Sequence, residues 1–289
     1  MIPFVLIHLA VFGAFWSGVT TSAVICAVVL YFVRMFAVTG GYHRYFSHRT
    51  YKTSRVFQFI LAFLAQSSAQ KGALWWAAHH RVHHRFSDKA GDLHSPVNDG
   101  FWYSHVGWLF NNTSDTDYSM IPDFARYPEL RFLNKYHLLP PILMGFVVWL
   151  ALGWSGLFIG FFASTVALWH GTFTINSLSH VFGKRRFATS DDSRNNWFLA
   201  IVTMGEGWHN NHHRFAASTR QGFYWYEYDF TFYILKVLSW LGIVWDLRPV
   251  PRKILEEGRA RDRSRRLGVP YVEPHREFVA ESLVPTPAE

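Results

Sequence analysis

The sequence predicts an all-α membrane protein, with four transmembrane helices in two hairpins under a helical cytosolic cap rich in histidine. Three observations predict it. Of 289 residues, 50% are apolar and only 17% charged, against roughly 25% charged in an average soluble domain. No Asp, Glu, Lys or Arg occurs in residues 1–33 or 136–183. All 28 Lys and Arg fall in residues 34–135 or beyond 183, which puts both basic segments on the cytoplasmic side and requires an even number of crossings. The mean hydropathy of +0.04 averages these oily and charged parts.

A bilayer core takes ~20 helical residues per crossing, so each charge-free run is too long for a single span. The first turns near Ser17-Gly18, giving spans over 2–16 and 19–38. The second breaks at Gly153-Trp154-Ser155-Gly156, giving spans over 138–152 and 157–174. The cap then comprises 39–137 and 175–250, completing one membrane domain over 1–250 with both termini cytoplasmic. Residues 56–69 are apolar but too short to cross, and suit a buried or interfacial helix. Residues 222–245 are aromatic-rich yet contain Glu227, Asp229 and Lys236, the pattern of an amphipathic helix lying in the interface plane. Residues 251–289 read as a charged tail, either a disordered membrane-surface segment or simply a solvated one. Met1-Ile2-Pro3 lacks a positively charged n-region, so no cleaved signal peptide is expected.

A net charge of +8 invites a nucleic-acid partner, but no such motif is present and the apolar runs make the lipid bilayer the partner instead. Cys26 is the single cysteine. It excludes a disulfide framework, a zinc ribbon and a thiolate iron–sulfur site.

Sixteen histidines are the unusual feature. Three boxes stand out: His43-Arg-Tyr-Phe-Ser-His48, His80-Arg-Val-His83-His84 and His209-Asn-Asn-His212-His213. Positions i, i+3 and i+4 share a helix face, so the second and third boxes each point two or three imidazoles at one spot. His43 and His48 differ by about 140° around an α-helix, so the first box spans a helix end. Asn176-Ser-Leu-Ser-His180 adds a fourth element after the last span. Nine imidazoles suit two metal ions rather than one. Imidazole accepts Zn, Cu, Fe or Ni, and the Glu-x-x-His pairs of ferritin-like di-iron sites are missing. Acids should accept from the imidazole N–H groups; Asp88, Asp92 and Glu206 are nearby in sequence, with no assignment to particular histidines.

The segments GYHRYFSHRTYK, WWAAHHRVHHRFSD, HSPVNDGFWYSHVGW, NSLSHVFG and GEGWHNNHH bring the chain close to a known family. It resembles the membrane fatty acyl desaturases, near the stearoyl-CoA (acyl-CoA delta-9) branch and without a fused cytochrome domain. The resemblance implies a four-helix stem under a cytosolic cap, with an all-histidine di-iron centre where they meet. Its ligand positions fall on His43, His48, His80, His83, His84, His180, His209, His212 and His213, and Asn176 matches an asparagine that reaches a metal through water. It implies two iron ions, replaceable by zinc in a purified sample, with O2 as co-substrate. Gln70, Trp76 and Thr172 match residues around the substrate bend, Tyr31 a tyrosine closing the far end of the tunnel, and Met35 a position that is often smaller. His79 takes a supporting or headgroup role beside the ligands; His94 and His105 support the cap, and His8, His137, His170 and His275 have no pattern.

The chain departs from the family where CoA-using members carry basic residues: Ala78 and His79 replace one Arg-Asp pair, and Asn98-Asp99 a second basic pair. Losing charge at both places weakens CoA phosphates as the anchor, although Lys71 or Arg85 can compensate. The substrate is thus a long-chain acyl group on CoA, on a lipid or on acyl-carrier protein. The expected activity is O2-dependent insertion of a cis double bond at delta-9, with a hydroxylase or acetylenase on the same scaffold as the alternative. A membrane metal transporter would need ligands mid-bilayer along a path, whereas these histidines lie at the span ends. Electrons come from outside. A basic cytoplasmic face steers an acidic carrier such as a ferredoxin, rubredoxin or small cytochrome.

Overall fold

The computed structural model describes residues 2–111 and 115–272. It is helical apart from one two-stranded antiparallel pairing, Lys52–Thr53 with Val244–Trp245. Among the described residues two runs are long and apolar enough to cross a membrane, Thr21–Ser47 and Leu139–Val181. A shorter apolar helical stretch, Pro3–Ser17, precedes them.

The first turn falls where glycine permits it. Gly18 has φ +72°, a conformation that costs other residues energy. Thr20 then caps the helix Thr21–Phe36 by accepting from the Ala23 N–H at 3.2 Å. The second run is interrupted at Gly153, whose φ of 62° and ψ of −156° lie outside any helix. The chain doubles back there. A Cβ on Gly145 would lie 3.2 Å from the Phe161 ring, and one on Gly160 would lie 3.3 Å from Val148 and 3.1 Å from the Cys26 sulfur. The same packing sets the half-buried Cys26 against this hairpin.

The helix Thr21–Phe36 continues into a π-helical segment, Ala37–Ser47, capped by His48. Its hydrogen bonds step five residues, as from the His48 N–H to the His43 carbonyl at 3.2 Å. A π-turn is wider than an α-turn, so residues five apart lie nearly above one another. His43 and His48, well separated on an α-helix, thereby bring their ring centroids to 4.8 Å. His48 does close a helix end, as the spacing suggests, but it is the widened turn that unites the pair.

Around this segment pack Arg55–Gln66 and Ala73–Phe86, burying Tyr42, Phe46, Leu61, Leu74, Leu130 and Leu133 in one core. Two expectations need correction. The interfacial helix read over 222–245 is helical only at Phe230–Trp240. Glu227 and Asp229 before it are buried rather than facing solvent; Asp229 caps the helix by accepting from the Phe232 N–H at 2.9 Å. The stretch read as a disordered tail includes a helix, Arg252–Leu267. Ile254 packs in a small core with Phe187, Phe223 and Tyr224, and Asp262 and Glu257 pair with Arg186 and Arg214. Its charges have partners on the cap, which composition alone does not reveal. The rest of the tail, with His275, lies outside the described residues.

Candidate metal centre

The histidines arrive on four short pieces of chain. His80, His83 and His84 project from Ala73–Phe86, His209, His212 and His213 from His209–Arg214, and His180 from Leu178–Val181. His43 and His48 come from the π-helical segment and its cap. They collect in two groups: His43, His48, His80, His84 and His212 in one, His83, His180, His209 and His213 in the other. Within each, the nitrogens lie inside 4.8 Å of one another. Each HxxHH box divides in the same way. Its i and i+4 members enter one group and its i+3 member the other. Positions i+3 and i+4 stand about 100° apart around the axis, on opposite sides of i. One box therefore serves two spots rather than one.

The donor set fits metal ions. Within the first group the Nε2 atoms of His48 and His80 stand 2.9 Å apart, and His212 Nε2 lies 3.0 Å from both His43 Nε2 and His84 Nε2. In the second group His180 and His209 Nε2 are 3.0 Å apart. Metal–nitrogen bonds of ~2.1 Å at right angles separate their nitrogens by about 3.0 Å. Nδ1 of His43 pairs with Glu206, that of His83 with Asp92 at 2.9 Å, and those of His180 and His213 with Asp88 and Asp191 at 2.8 Å. A carboxylate on Nδ1–H fixes the tautomer and leaves the Nε2 lone pair facing inward. His213 Nε2 is buried with no hydrogen-bond partner, as a nitrogen reserved for a metal would be.

Electrostatics reinforce this. Burial, then repulsion among neighbouring imidazoles, holds His48, His80, His84, His209 and His212 well below the ordinary histidine pKa. Neutral imidazole is the form that binds metal. Burial raises Asp88, but hydrogen bonds from His180, Ser95 and the Asp192 N–H outweigh it and bring the carboxyl down to about 2. Asp92 and Asp191 are depressed in the same way by His83 and His213. Glu206 is also held low: burial opposes ionisation, and His43 and Arg44 prevail.

A cavity of about 380 Å³ joins the groups to apolar surroundings. His43 and His80 of the first group and His83 and His209 of the second line it, together with Met35, Gln70, Trp76 and Thr172. Trp76 stacks on His80 with centroids 4.8 Å apart. The Thr172 hydroxyl lies 2.9 Å from the Trp169 carbonyl and 3.4 Å from Gln70 Oε1.

The sequence model of the family described as fatty acid desaturase matches residues 14–240. The chain belongs to the fatty acid desaturase family. It is 35% identical over 246 residues to an acyl-CoA 5-desaturase of Anemone leveillei, covering 84% of this chain and 74% of that one. It is also 35% identical over 247 residues to an sn-1 stearoyl-lipid 9-desaturase of Anabaena variabilis, covering 84% and 90%. A delta-9 acyl-lipid desaturase 1 of Arabidopsis thaliana is 36% identical over 237 residues, covering 79% and 76%.

The remaining expected positions of this desaturase are placed as follows. Asn176 lines the cavity. Tyr31 does not line it; its hydroxyl donates to the Val202 carbonyl at 2.9 Å. A Cβ built on Gly171 would meet both the Tyr31 hydroxyl and the Met35 methyl at 3.0 Å, so these two side chains converge on one glycine. His79 lines the cavity outside both groups, with Nδ1 2.9 Å from the Trp75 carbonyl. His94 lines it too, its ring 4.5 Å from that of His83. Of Lys71 and Arg85, Lys71 reaches the cavity.

Sequence reasoning missed three features. Asp191 stands far from any box and betrays nothing in sequence. Arg44, 1% exposed, lies between Glu206 and Asp229 at 3.1 and 2.9 Å. His8 and His170, which have no pattern, form a chain with His105, read as a support of the cap: His8 Nε2 to His170 Nε2 at 3.1 Å, His170 Nδ1 to His105 Nε2 at 3.0 Å, and His105 Nδ1 to the Ser177 hydroxyl at 2.9 Å. This chain ties the first apolar helix to the cap beside the cavity.

Proposed function

We propose that the chain inserts a cis double bond at the delta-9 position of a saturated long-chain acyl group, using O2, two iron ions and electrons from an external carrier. The stem crosses the membrane four times, with the cap and both termini cytoplasmic, where an acidic ferredoxin, rubredoxin or small cytochrome docks on the basic face. One observation carries the reading. A single cavity with apolar walls is lined by histidines of both groups, so an alkyl chain in it passes both metal positions. The nine histidines hold the irons, with Asn176 acting through water. Relatives named as 9-desaturases support the position of the double bond.

An unactivated CH2–CH2 has no acidic proton and no polarised bond, so side-chain acids and bases have nothing to attack. When bound, iron supplies the O2-reducing chemistry that removes its hydrogens. The protein supplies position. Thr172 and Gln70 flank the acyl chain where it bends, and Trp76, which stacks on His80, forms the cavity wall beside it. Glu206, Asp92, Asp88 and Asp191 hold the Nδ1–H of His43, His83, His180 and His213, so these four rings keep their Nε2 inward.

The test is a purified, iron-loaded chain given reduced ferredoxin and a saturated acyl substrate. The expected product is two hydrogens lighter, with its double bond between carbons 9 and 10, and none forms without O2. A product heavier by one oxygen would establish a hydroxylase instead.

Met35 sets chain length in this reading. It is fully buried and lines the cavity, whereas Tyr31, which meets it at Gly171, does not. Met35→Ala is expected to extend the cavity toward Tyr31 and shift the product profile to longer chains. Each additional buried CH2 is worth ~0.8 kcal/mol, or about fourfold in preference. An unchanged profile by gas chromatography would refute the assignment.

A further inference from the structure

The stem contains a second cavity, of about 430 Å³, between the two legs of the hairpin that turns at Gly153. Its lining is apolar except for Thr165, whose hydroxyl lies 2.7 Å from the Phe161 carbonyl. Ile142 and Phe146 on its wall are 64% and 52% exposed, so the groove faces the lipid. Ile7, Ala69 and Leu138 line this groove and also the histidine-ended cavity. The two spaces therefore share part of their walls.

One cation of the histidine-ended cavity lies close in sequence to those shared walls. Lys71 and His137, two residues and one residue along the chain from Ala69 and Leu138, both line the histidine-ended cavity, and burial first, then the Lys71 charge, disfavours protonation of His137. Among the described residues Lys71 is the only Lys or Arg in the lining of either space. Elsewhere the positions that would grip CoA phosphates hold Ala78, His79, Asn98 and Asp99. Two adjoining apolar spaces, with one cation in the lining of the first, match a molecule with two alkyl tails and one anionic headgroup.

We propose that the stem groove is a subsite for the second acyl chain of a glycerophospholipid, whose first chain enters the histidine-ended cavity and whose phosphate rests on Lys71. The proposal rests on the desaturase reading and names its substrate class. Seating the second tail in the groove fixes the lipid's orientation and decides which of the two chains reaches the histidines. A single-tailed thioester leaves the groove unused.

Binding is measured by gel filtration of detergent-purified protein with radiolabelled dipalmitoyl phosphatidylglycerol, palmitoyl lysophosphatidylglycerol or palmitoyl-CoA. Ile142→Trp and Leu157→Trp fill the groove from opposite walls. Each is expected to lower diacyl lipid binding about tenfold, a loss of ~1.4 kcal/mol, while sparing the lysophospholipid. Lys71→Gln is expected to weaken both phospholipids. Loss of both ligands in both Trp variants, or of neither, overturns the proposal, as does binding of palmitoyl-CoA tighter than that of the diacyl lipid. Binding is read without turnover. A chain that passes this test yet forms no alkene would refute the desaturase reading and leave the groove standing.

Discussion

His83→Ala is expected to empty the four-histidine group of metal and reduce product formation to background while the helical fold persists. His83 is the i+3 member of its box, so it serves the second group while its neighbours His80 and His84 serve the first. Its Nδ1 is held by Asp92. Removing the ring takes one of four nitrogens from that group and leaves the first group whole. Iron content should fall from two per chain toward one. The gentler Asp92→Asn variant keeps the ring but removes the carboxylate that orients it, and losses of about 10–100-fold in metal affinity are typical of such changes. Circular dichroism separates a site defect from unfolding. Wild-type iron content and turnover in His83→Ala would sink the site assignment.

A larger effect on stability is expected from Arg44→Met. Arg44 bonds Glu206, Asp229 and the Thr219 carbonyl, and all three side chains are buried. Its removal leaves two interior carboxylates without their cation. Breaking a buried ion pair costs about 3–5 kcal/mol, which corresponds to a fall in melting temperature of about 10 °C. Glu206 also holds His43, so metal binding in the first group should weaken as well. Adding Asp229→Asn and Glu206→Gln to Arg44→Met removes the stranded charges and is expected to recover much of the stability but not the metal affinity. An unchanged melting temperature in the single variant would show that water reaches the network.

Much of the site was legible because its chemistry is local. The HxxHH boxes are short, helical and self-contained, and all nine of the histidines singled out converge in space. The glycine turns were legible for the same reason: Gly18 and Gly153 advertise a backbone conformation that other residues avoid. What stayed hidden depends on contacts distant in sequence. Asp191 reaches His213 across 22 positions and Asp229 reaches Arg44 across 185, and no spacing rule links them. Glu227 illustrates the converse error. In an aromatic run it looks like the polar face of an interfacial helix, yet it is buried against Arg186 and Asn211. The C-terminal helix was misread because charge density alone looks like solvation, whereas Glu257 and Asp262 have fixed partners.

The widened helix that carries His43 and His48 has a consequence for how such a site tolerates insertion and deletion. Two rings five residues apart on a π-turn occupy nearly the same relative placement as two rings four apart on an α-turn. A box that gains or loses one residue can therefore keep its rings in position, provided the helix changes width with it. Box length and helix type form a single setting. A length change that the helix cannot absorb would misdirect one imidazole without altering any side chain of the site.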